Sequence, residues 1–348
     1  MPDARPVTIA DVAALAGVSI GTVSKALNGR GQLRPQTRDR VLAASEQLGF
    51  RPSPLARGLL TGRSYAVGLI TTDSFGRFTI PVMLGAEDAL GQGQMSVLLC
   101  DGRGDPIREQ HYVRTLLSRR VDGIIVTGRR IDPRPPIAPG LPVPVVYVMT
   151  QSENPDDVSF IPDDGHGGQL AVSHLVTSGR RKIAHVTGPQ RFLAARLRAA
   201  AAQEVLPAAG LPLAAGQVLY GEWGEEWGRQ AAHTVLHNEP EADAIFCGSD
   251  QIARGVADAL REAGRRVPDD IALVGYDNWE LFAATCRPPL TTVDMCLRDL
   301  GQLAARTLLA DIDGQPAHGV QRLPGRLIIR ESSGARAQAR PTGPASIG

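Results

Sequence analysis

Residues 8–29 read TIADVAALAGVSIGTVSKALNG, and the spacing of their apolar side chains decides the first part of the fold. Ile9, Val12, Ala13 and Ala16 fall on one face of a helix, with Thr8 placed to cap it and Asp11 three residues on to complete a capping box. Gly17 breaks that helix, and Ser19 can cap a second one that begins at Ile20. In the second helix Val23, Ala26 and Leu27 face the first, which leaves Ile20, Gly21, Thr22 and Lys25 on the outer side. Two short helices joined by a tight Gly-containing turn, the second polar outward, form a helix-turn-helix. A third helix is expected from Pro35, whose missing N–H costs nothing at the first helical position. Val41, Leu42 and Leu48 are expected to complete the small core, and Gly49 to end the helix.

This geometry points to double-stranded DNA. The exposed start of the second helix fits the major groove, where base edges carry a readable donor and acceptor code. Ile20, Gly21, Thr22 and Lys25 are expected to face bases. Thr8, Ser24 and Asn28 are expected to anchor phosphates, which sets register rather than sequence; Ser19, at the head of the reading helix, joins the same set. Charge agrees: residues 1–64 hold nine of the 37 basic and four of the 36 acidic residues, net +5, against −4 for the remainder. A basic head on a mildly acidic body suits a module that meets phosphate. The same pattern also fits a three-helix bundle used for protein contacts, and charge alone does not separate the two.

At 348 residues the chain exceeds one ordinary core and suits a small domain plus a larger two-lobed one. Composition is that of a globular protein, 43% hydrophobic, 21% charged and 4% aromatic. The first ten residues have no apolar stretch of signal-peptide length, and the longest apolar run, around Pro142–Met149, is far short of a membrane span. No membrane partner is implied, and cytoplasmic residence is the default expectation. Cys100, Cys247, Cys286 and Cys296 are scattered without a CxxC pair, as buried reduced thiols would be.

After residue 63 short apolar runs alternate with helical patterns. Strands are expected at Ala66–Thr71, Ser96–Cys100, Gly123–Thr127 and Val143–Met149, with helices at Pro81–Leu90 and Pro106–Arg119. A second series has helices near Gly167–Ser178, Leu193–Ala208, Glu226–Leu236 and Ile252–Ala263. Its strands are Ile183–Thr187, Gln217–Tyr220, Ala244–Cys247 and Ile271–Gly275. Two successive series imply two doubly wound parallel sheets. Thr291–Thr292 and a helix over Met295–Leu309 are expected to return to the first lobe, and Arg326–Arg330 to the second. The fold class is thus an all-α helix-turn-helix head plus an α/β body. The expected domains are a head at 1–50, a hinge at 51–63, a body at 64–334 and a tail at 335–348. Lobe 1 is drawn at about 64–163 and 295–323, lobe 2 at about 164–294 and 324–334. Ligands of such sheets bind beyond the carboxyl ends of the strands, here between the lobes.

The string over residues 8–29 closely resembles the head of the lactose-repressor/galactose-repressor (LacI/GalR) family. Arg119–Gly123, Val267–Ile271, Val274–Asp277 and Pro288–Thr292 resemble its sensor body, itself similar to type I periplasmic sugar-binding proteins. The resemblance spans roughly residues 7–332. It implies that Ser53 and Pro54 start a short hinge helix, that Ala56 and Leu59 touch DNA, and that Leu59 wedges between base steps in the minor groove. It also implies a homodimer on an inverted-repeat operator and a small polar effector, expected to be a sugar, in the cleft. Asp277 is expected to accept sugar hydroxyls, Arg198 to supply a donor fork, and Trp223 an apolar face for a pyranose ring or flat base. Asp73, Phe78, Ser249 and Asp250 are further effector candidates. Ordinary readings stand beside these: Asp277 as a loop cap, Arg198 as a surface charge, Trp223 as core.

Some residues depart from the family. Lys25 stands where Arg is usual, and the two differ at bidentate sites. Gly76-Arg77-Phe78-Thr79 stands where relatives tend to have Asn-Pro-Phe-Phe, Met295 where many carry Gln, and Ser249 where many carry Asn. The pocket is therefore reshaped. The tail lacks a leucine heptad, so no tetramer-forming coiled coil is expected.

No cofactor, metal or catalytic role is expected. His233 and His237 have helical ligand spacing, but HTVLH lacks the glutamate of a zinc-protease motif and a third ligand. Glu222, Glu225 and Glu226 cluster too tightly for the two separated carboxylates of a glycosidase. A solute-binding protein and a sugar-processing enzyme are the alternatives to a regulator, separated from it by the basic head, which neither requires.

Overall fold

The computed structural model describes residues 7–27, 32–50, 63–91 and 95–334. It divides into two compact units, residues 1–65 and 66–348. Of the residues singled out above, Asn28, Ala56 and Leu59 lie outside the described residues, as do most of the hinge and the tail.

The first unit is three helices: α1 (Ile9–Ala16), α2 (Ile20–Leu27) and α3 (Pro35–Gln47). Thr8 and Asp11 close a capping box at the start of α1. The Thr8 amide and hydroxyl both donate to Asp11 Oδ2, at 2.8 and 2.7 Å. Gly17 takes a left-handed φ of 63°, and the Val18 amide folds back to the Ala13 carbonyl at 3.1 Å. That turn is open to glycine because no Cβ crowds the backbone at positive φ. The Thr22 amide donates to Ser19 Oγ at 3.2 Å, capping α2. Val12, Ala13, Ala16, Val23, Ala26, Val41 and Ala44 form the core. Leu42 does not join it and is 43% exposed. Val41 already points inward, and the next helical position is rotated by about 100° from it. Ala44 fills the place instead.

The second unit is built of two parallel sheets. Its first part runs β1 (Ala66–Thr71), α4 (Thr79–Gly91), β2 (Ser96–Asp101), α5 (Pro106–Ser118) and β3 (Gly123–Thr127). There follow β4 (Pro133–Arg134), β5 (Val145–Val148), β6 (Gln151–Ser152) and β7 (Val158–Asp163). The second part runs α6 (Asp164–Thr177), β8 (Ile183–Thr187), α7 (Leu193–Ala208), β9 (Leu219–Tyr220) and α8 (Glu225–Asn238). It continues with β10 (Ala244–Cys247), α9 (Asp250–Glu262), β11 (Ala272–Asp277), the single turn α10 (Glu280–Ala283) and β12 (Thr291–Asp294). Last come α11 (Leu297–Ile312), β13 (Gly319–Pro324) and β14 (Arg326–Ile328). The strand orders are β13-β7-β5-β3-β1-β2 and β14-β12-β11-β10-β8-β9. All pairings within the two six-stranded sheets are parallel except β12 with β14. Strands β1, β3, β7, β8, β10 and β11 are almost wholly buried, as parallel strands covered by helices on both faces must be.

The chain passes between lobes three times: after β7, after β12 and between β13 and β14. Thr291–Thr292 is corrected by this topology. It opens β12, which pairs with β11 from Val274↔Thr291 to Asp277↔Asp294, so the return to the first lobe begins after β12, with α11 and then β13. Two strands have no apolar-run signature. β7 carries Ser159 and ends in Pro162 and Asp163, and β13 is an edge strand exposed along most of its length. Pairing makes them strands: β7 lies between β5 and β13, and β13 pairs β7 from Gly319↔Val158 to Pro324↔Asp163, far away in the chain. Among the described residues all four cysteines are free, three of them buried.

Candidate functional site

Both sheets end their parallel strands toward one another, and a cavity of about 440 Å³ lies there, within the usual size range for small-molecule sites. The turns after β1, β3 and β8, and the ends of β11 and β12, supply its walls. Arg198 projects from the second turn of α7 and is 4% exposed. Its Nε donates to Asp164 Oδ1 at 2.7 Å and its Nη1 to the Gly248 carbonyl at 2.5 Å. The guanidinium lies 3.5 Å from the Tyr276 ring centroid, so a carboxylate, a carbonyl and an aromatic face fix one cation. Asp164, at the first position of α6, also adds a negative charge where the helix dipole favours one.

Asp277 ends β11 at a positive φ of 109° and lines the same cavity. Its Oδ2 is ion-paired with Arg77, which comes from the other lobe, and its Oδ1 lies 3.9 Å from Arg198 Nη1. Arg77 also donates to Gln251 at 3.1 Å and lies 4.8 Å from the Trp279 ring centroid. Burial lowers the Arg77 pKa to about 10, outweighing the nearby carboxylates. A second bridge between lobes runs from the Leu193 amide to Asp132 Oδ1, at 3.0 Å. Asp132 Oδ2 and Arg77 Nε are buried with no hydrogen-bond partner among the described residues.

Trp223 follows β9 and packs against Gly188, where a Cβ would sit 2.2 Å from Trp223 Cε2. The glycine is therefore a steric requirement for that ring position. Phe78 and Ser249 also line the cavity. Ser249 caps α9, its Oγ accepting from the Ile252 amide at 3.2 Å.

Asp73 and Asp250 lie behind the wall rather than on it. Asp73 accepts the Phe78 and Thr79 amides at 2.7 and 3.1 Å, holding the loop that carries Arg77 and Phe78. Asp250 is fully buried and accepts from the Trp279 amide at 2.8 Å and the Thr292 hydroxyl at 2.6 Å. Burial raises its pKa to about 7 against these hydrogen bonds. The structure therefore brings Phe78, Arg198, Trp223, Ser249 and Asp277 together at one cavity, and sets Asp73 and Asp250 beneath it as supports. It adds Arg77, Arg130, Asp132, Asp164, Arg191 and Phe192 to the lining, residues not selected from sequence. Their one legible signal was position, since most follow the carboxyl ends of strands; Arg77 also stood at a departure from the family.

In the first unit Ser19, Ile20, Gly21 and Lys25 are exposed on one side of α2, Ile20 at 52%, with Thr22 and Ser24 half-buried beside them and Thr8 exposed at the start of α1. Val23 and Ala26 are buried on the opposite side. His233 and His237 are exposed on α8, and Glu225 and Glu226 occupy its first turn. No single helix among the described residues is long and apolar enough to cross a membrane.

A helix-turn-helix unit together with a two-lobed body whose cavity joins the carboxyl edges of both sheets defines a transcription regulator with a periplasmic-binding-protein-like body. Family models agree: "Bacterial regulatory proteins, lacI family" matches residues 8–53 and "Periplasmic binding protein-like domain" residues 172–333. The chain is 35% identical over 337 residues to the HTH-type transcriptional regulator CelR of Thermobifida fusca, covering 94% of this chain and 98% of CelR. It is 34% identical over 330 residues to the ribose operon repressor of Escherichia coli strain K12, covering 94% and 99%. Among solved structures it matches a CelR–cellobiose complex with TM-score 0.66 and 31% identity, covering 94% of this chain and 100% of the other. It matches the lac repressor dimer bound to operator and the anti-inducer ONPF with TM-score 0.72 and 30% identity, covering 94% and 99%. The chain belongs to the LacI family of bacterial transcriptional regulators, a family of regulators rather than enzymes.

Proposed function

We propose that this chain is a repressor that binds an inverted-repeat operator as a homodimer and loses operator affinity when a sugar enters the cleft between its lobes. One observation carries the reading: Arg198, Asp277 and Trp223 converge on a cavity whose opposite wall belongs to the other lobe. A ligand held there contacts both lobes at once, so its binding energy depends on how they are set. Any ligand that prefers one setting shifts the population toward it. In this reading Ile20, Gly21, Thr22 and Lys25 face bases, while Thr8, Ser19 and Ser24 position the phosphate backbone. Asp277 and Arg198 take sugar hydroxyls, Trp223 and Phe78 pack on the ring, and Ser249 supplies a further polar contact. The cellobiose in the CelR structure and the operator in the lac repressor structure are the ligands from which the proposal extends. Linkage requires operator and effector to change each other's affinity by the same factor.

A gel-shift titration on DNA flanking the chain's own gene, repeated across a sugar panel, tests this. Release of a retarded band by one sugar is the expected result. Failure to retard any double-stranded DNA, even in dilute salt, would refute the regulator mechanism. A band that no sugar moves would refute the sugar.

A further inference from the structure

Resting on the effector-cleft reading above, we propose that the effector is an acidic polyol: a hydroxylated ring or chain carrying a carboxylate or phosphate, its anionic group seated at an arginine-lined mouth. Five arginines and four carboxylates line the cavity. At its floor the charges are matched, Arg77 with Asp277 and Arg198 with Asp164. The mouth is different. Arg129 and Arg130 follow β3 in the first lobe, and Arg191 follows β8 in the second. Arg129 and Arg130 make no ion pair among the described residues.

Two carboxylates share that mouth, and neither neutralises it. Glu222 lies 3.7 Å from Arg191, but the two side chains are 77% and 65% exposed. Such a pair is screened by water and contributes little. Asp132 lines the cavity, gives one oxygen to the Leu193 amide and keeps the other buried with no hydrogen-bond partner among the described residues. An orphaned carboxylate oxygen takes a hydroxyl donor and repels an anion, so it asks for the polyol part of the ligand.

Phe192 holds the cations in place. The guanidinium carbons of Arg130 and Arg191 lie 4.7 and 4.6 Å from its ring centroid. A ring face steadies a guanidinium while leaving its N–H groups unspent and its charge intact. Cations from opposite lobes thus meet at one aromatic side chain, and a concave wall concentrates their field on whatever enters. A neutral sugar uses none of this. A carboxylate or phosphate accepts charge-assisted hydrogen bonds from both lobes and joins them.

Calorimetric titration of the full chain tests the assignment, using D-glucose, D-gluconate, D-glucuronate, D-glucose 6-phosphate and inorganic phosphate, each at low and high salt. At least one acidic sugar is expected to bind about tenfold or more tighter than D-glucose and to weaken as salt rises. The exposed arginines allow R129Q/R130Q without harm to the core, and that variant is expected to lose about tenfold or more of the acid's affinity. Preference for gluconate or glucuronate, or for the 6-phosphate, supports the proposal and states which anion is read. D-glucose binding as tightly as the acids, or an unchanged acid affinity in R129Q/R130Q, overturns the anion while leaving a neutral-sugar cleft in place. Inorganic phosphate binding as tightly as the 6-phosphate overturns the polyol. No binding by any of the sugars overturns both this proposal and the sugar reading beneath it.

Discussion

The guanidinium of Arg77 in the first lobe is ion-paired with Oδ2 of Asp277 in the second, across the cavity where the lobes meet. Their side chains are only 14% and 6% exposed, so water screens the pair weakly. The carboxylate best placed to accept ligand hydroxyls is therefore already engaged by an arginine of its own chain. Ligand must share Asp277 with Arg77 or displace it, and either route couples occupancy to the contact between lobes. Arg77→Met leaves a buried carboxylate facing only Arg198. It is expected to lower the unfolding free energy by about 3 kcal/mol in chemical denaturation. The R77M/D277N double variant is expected to lose clearly less than the sum of the two single losses. Additive losses would show that the pair does not act as one unit.

Gly188 and Trp223 form a steric lock. Gly188→Ala places a methyl group 2.2 Å from the indole, which must move. In the proposed site that ring packs on the effector. G188A is expected to keep operator retardation while weakening effector response by roughly tenfold, and Trp223→Ala to do the same through loss of about 1.5 kcal/mol of contact. Normal effector response in G188A would free Trp223 from the site.

Lys25 stands exposed on the outer side of α2, away from the packed Val23 and Ala26. Lys25→Ala is expected to cost about 1–3 kcal/mol of operator affinity and to leave effector binding and the melting of the body unchanged. Equal retardation by wild type and K25A across operator variants would remove Lys25 from the contact surface. Asp11→Ala, which opens the capping box, is expected to destabilise the helical head by about 1 kcal/mol.

His185 on β8 is wholly buried, its Nδ1 donating to the Phe246 carbonyl at 2.9 Å and its ring stacked on Phe246 at 4.4 Å. Burial lowers its pKa from 6.5 to about 4. The folded value lies below the unfolded one, so its contribution is present above about 6.5 and is lost as pH falls toward about 4. Asp250 has the opposite sign. Its pKa is raised from 3.8 to about 7, so its contribution is present below 3.8 and is lost as pH rises through about 7. Urea unfolding between those limits separates the two. His185→Asn is expected to flatten the fall in stability on acidification, and Asp250→Asn the fall on approaching neutrality. Parallel pH profiles for wild type and H185N would place the histidine proton elsewhere.

What the residue order determined by itself was local. The 3.6-residue spacing around Gly17, the caps at Thr8 and Ser19, and the apolar runs at β1, β3, β8 and β10 each sit within a few residues of their own cause. From these the helix-turn-helix and the two parallel sheets follow. Even there the limit shows: β13 becomes a strand only through its pairing with β7, itself held between β5 and β13, and Leu42 gave up its expected core place to Ala44. The site was decided by tertiary structure. Arg77 and Asp277 are 200 positions apart, and Asp132 and Leu193 are 61 apart. Periodicity says which face a side chain occupies, whereas loops at the edges of two sheets meet only once those sheets have folded and been brought together by three crossings of the chain. The same closure put Asp73 and Asp250 behind the cavity wall, where backbone amides claimed their carboxylates first.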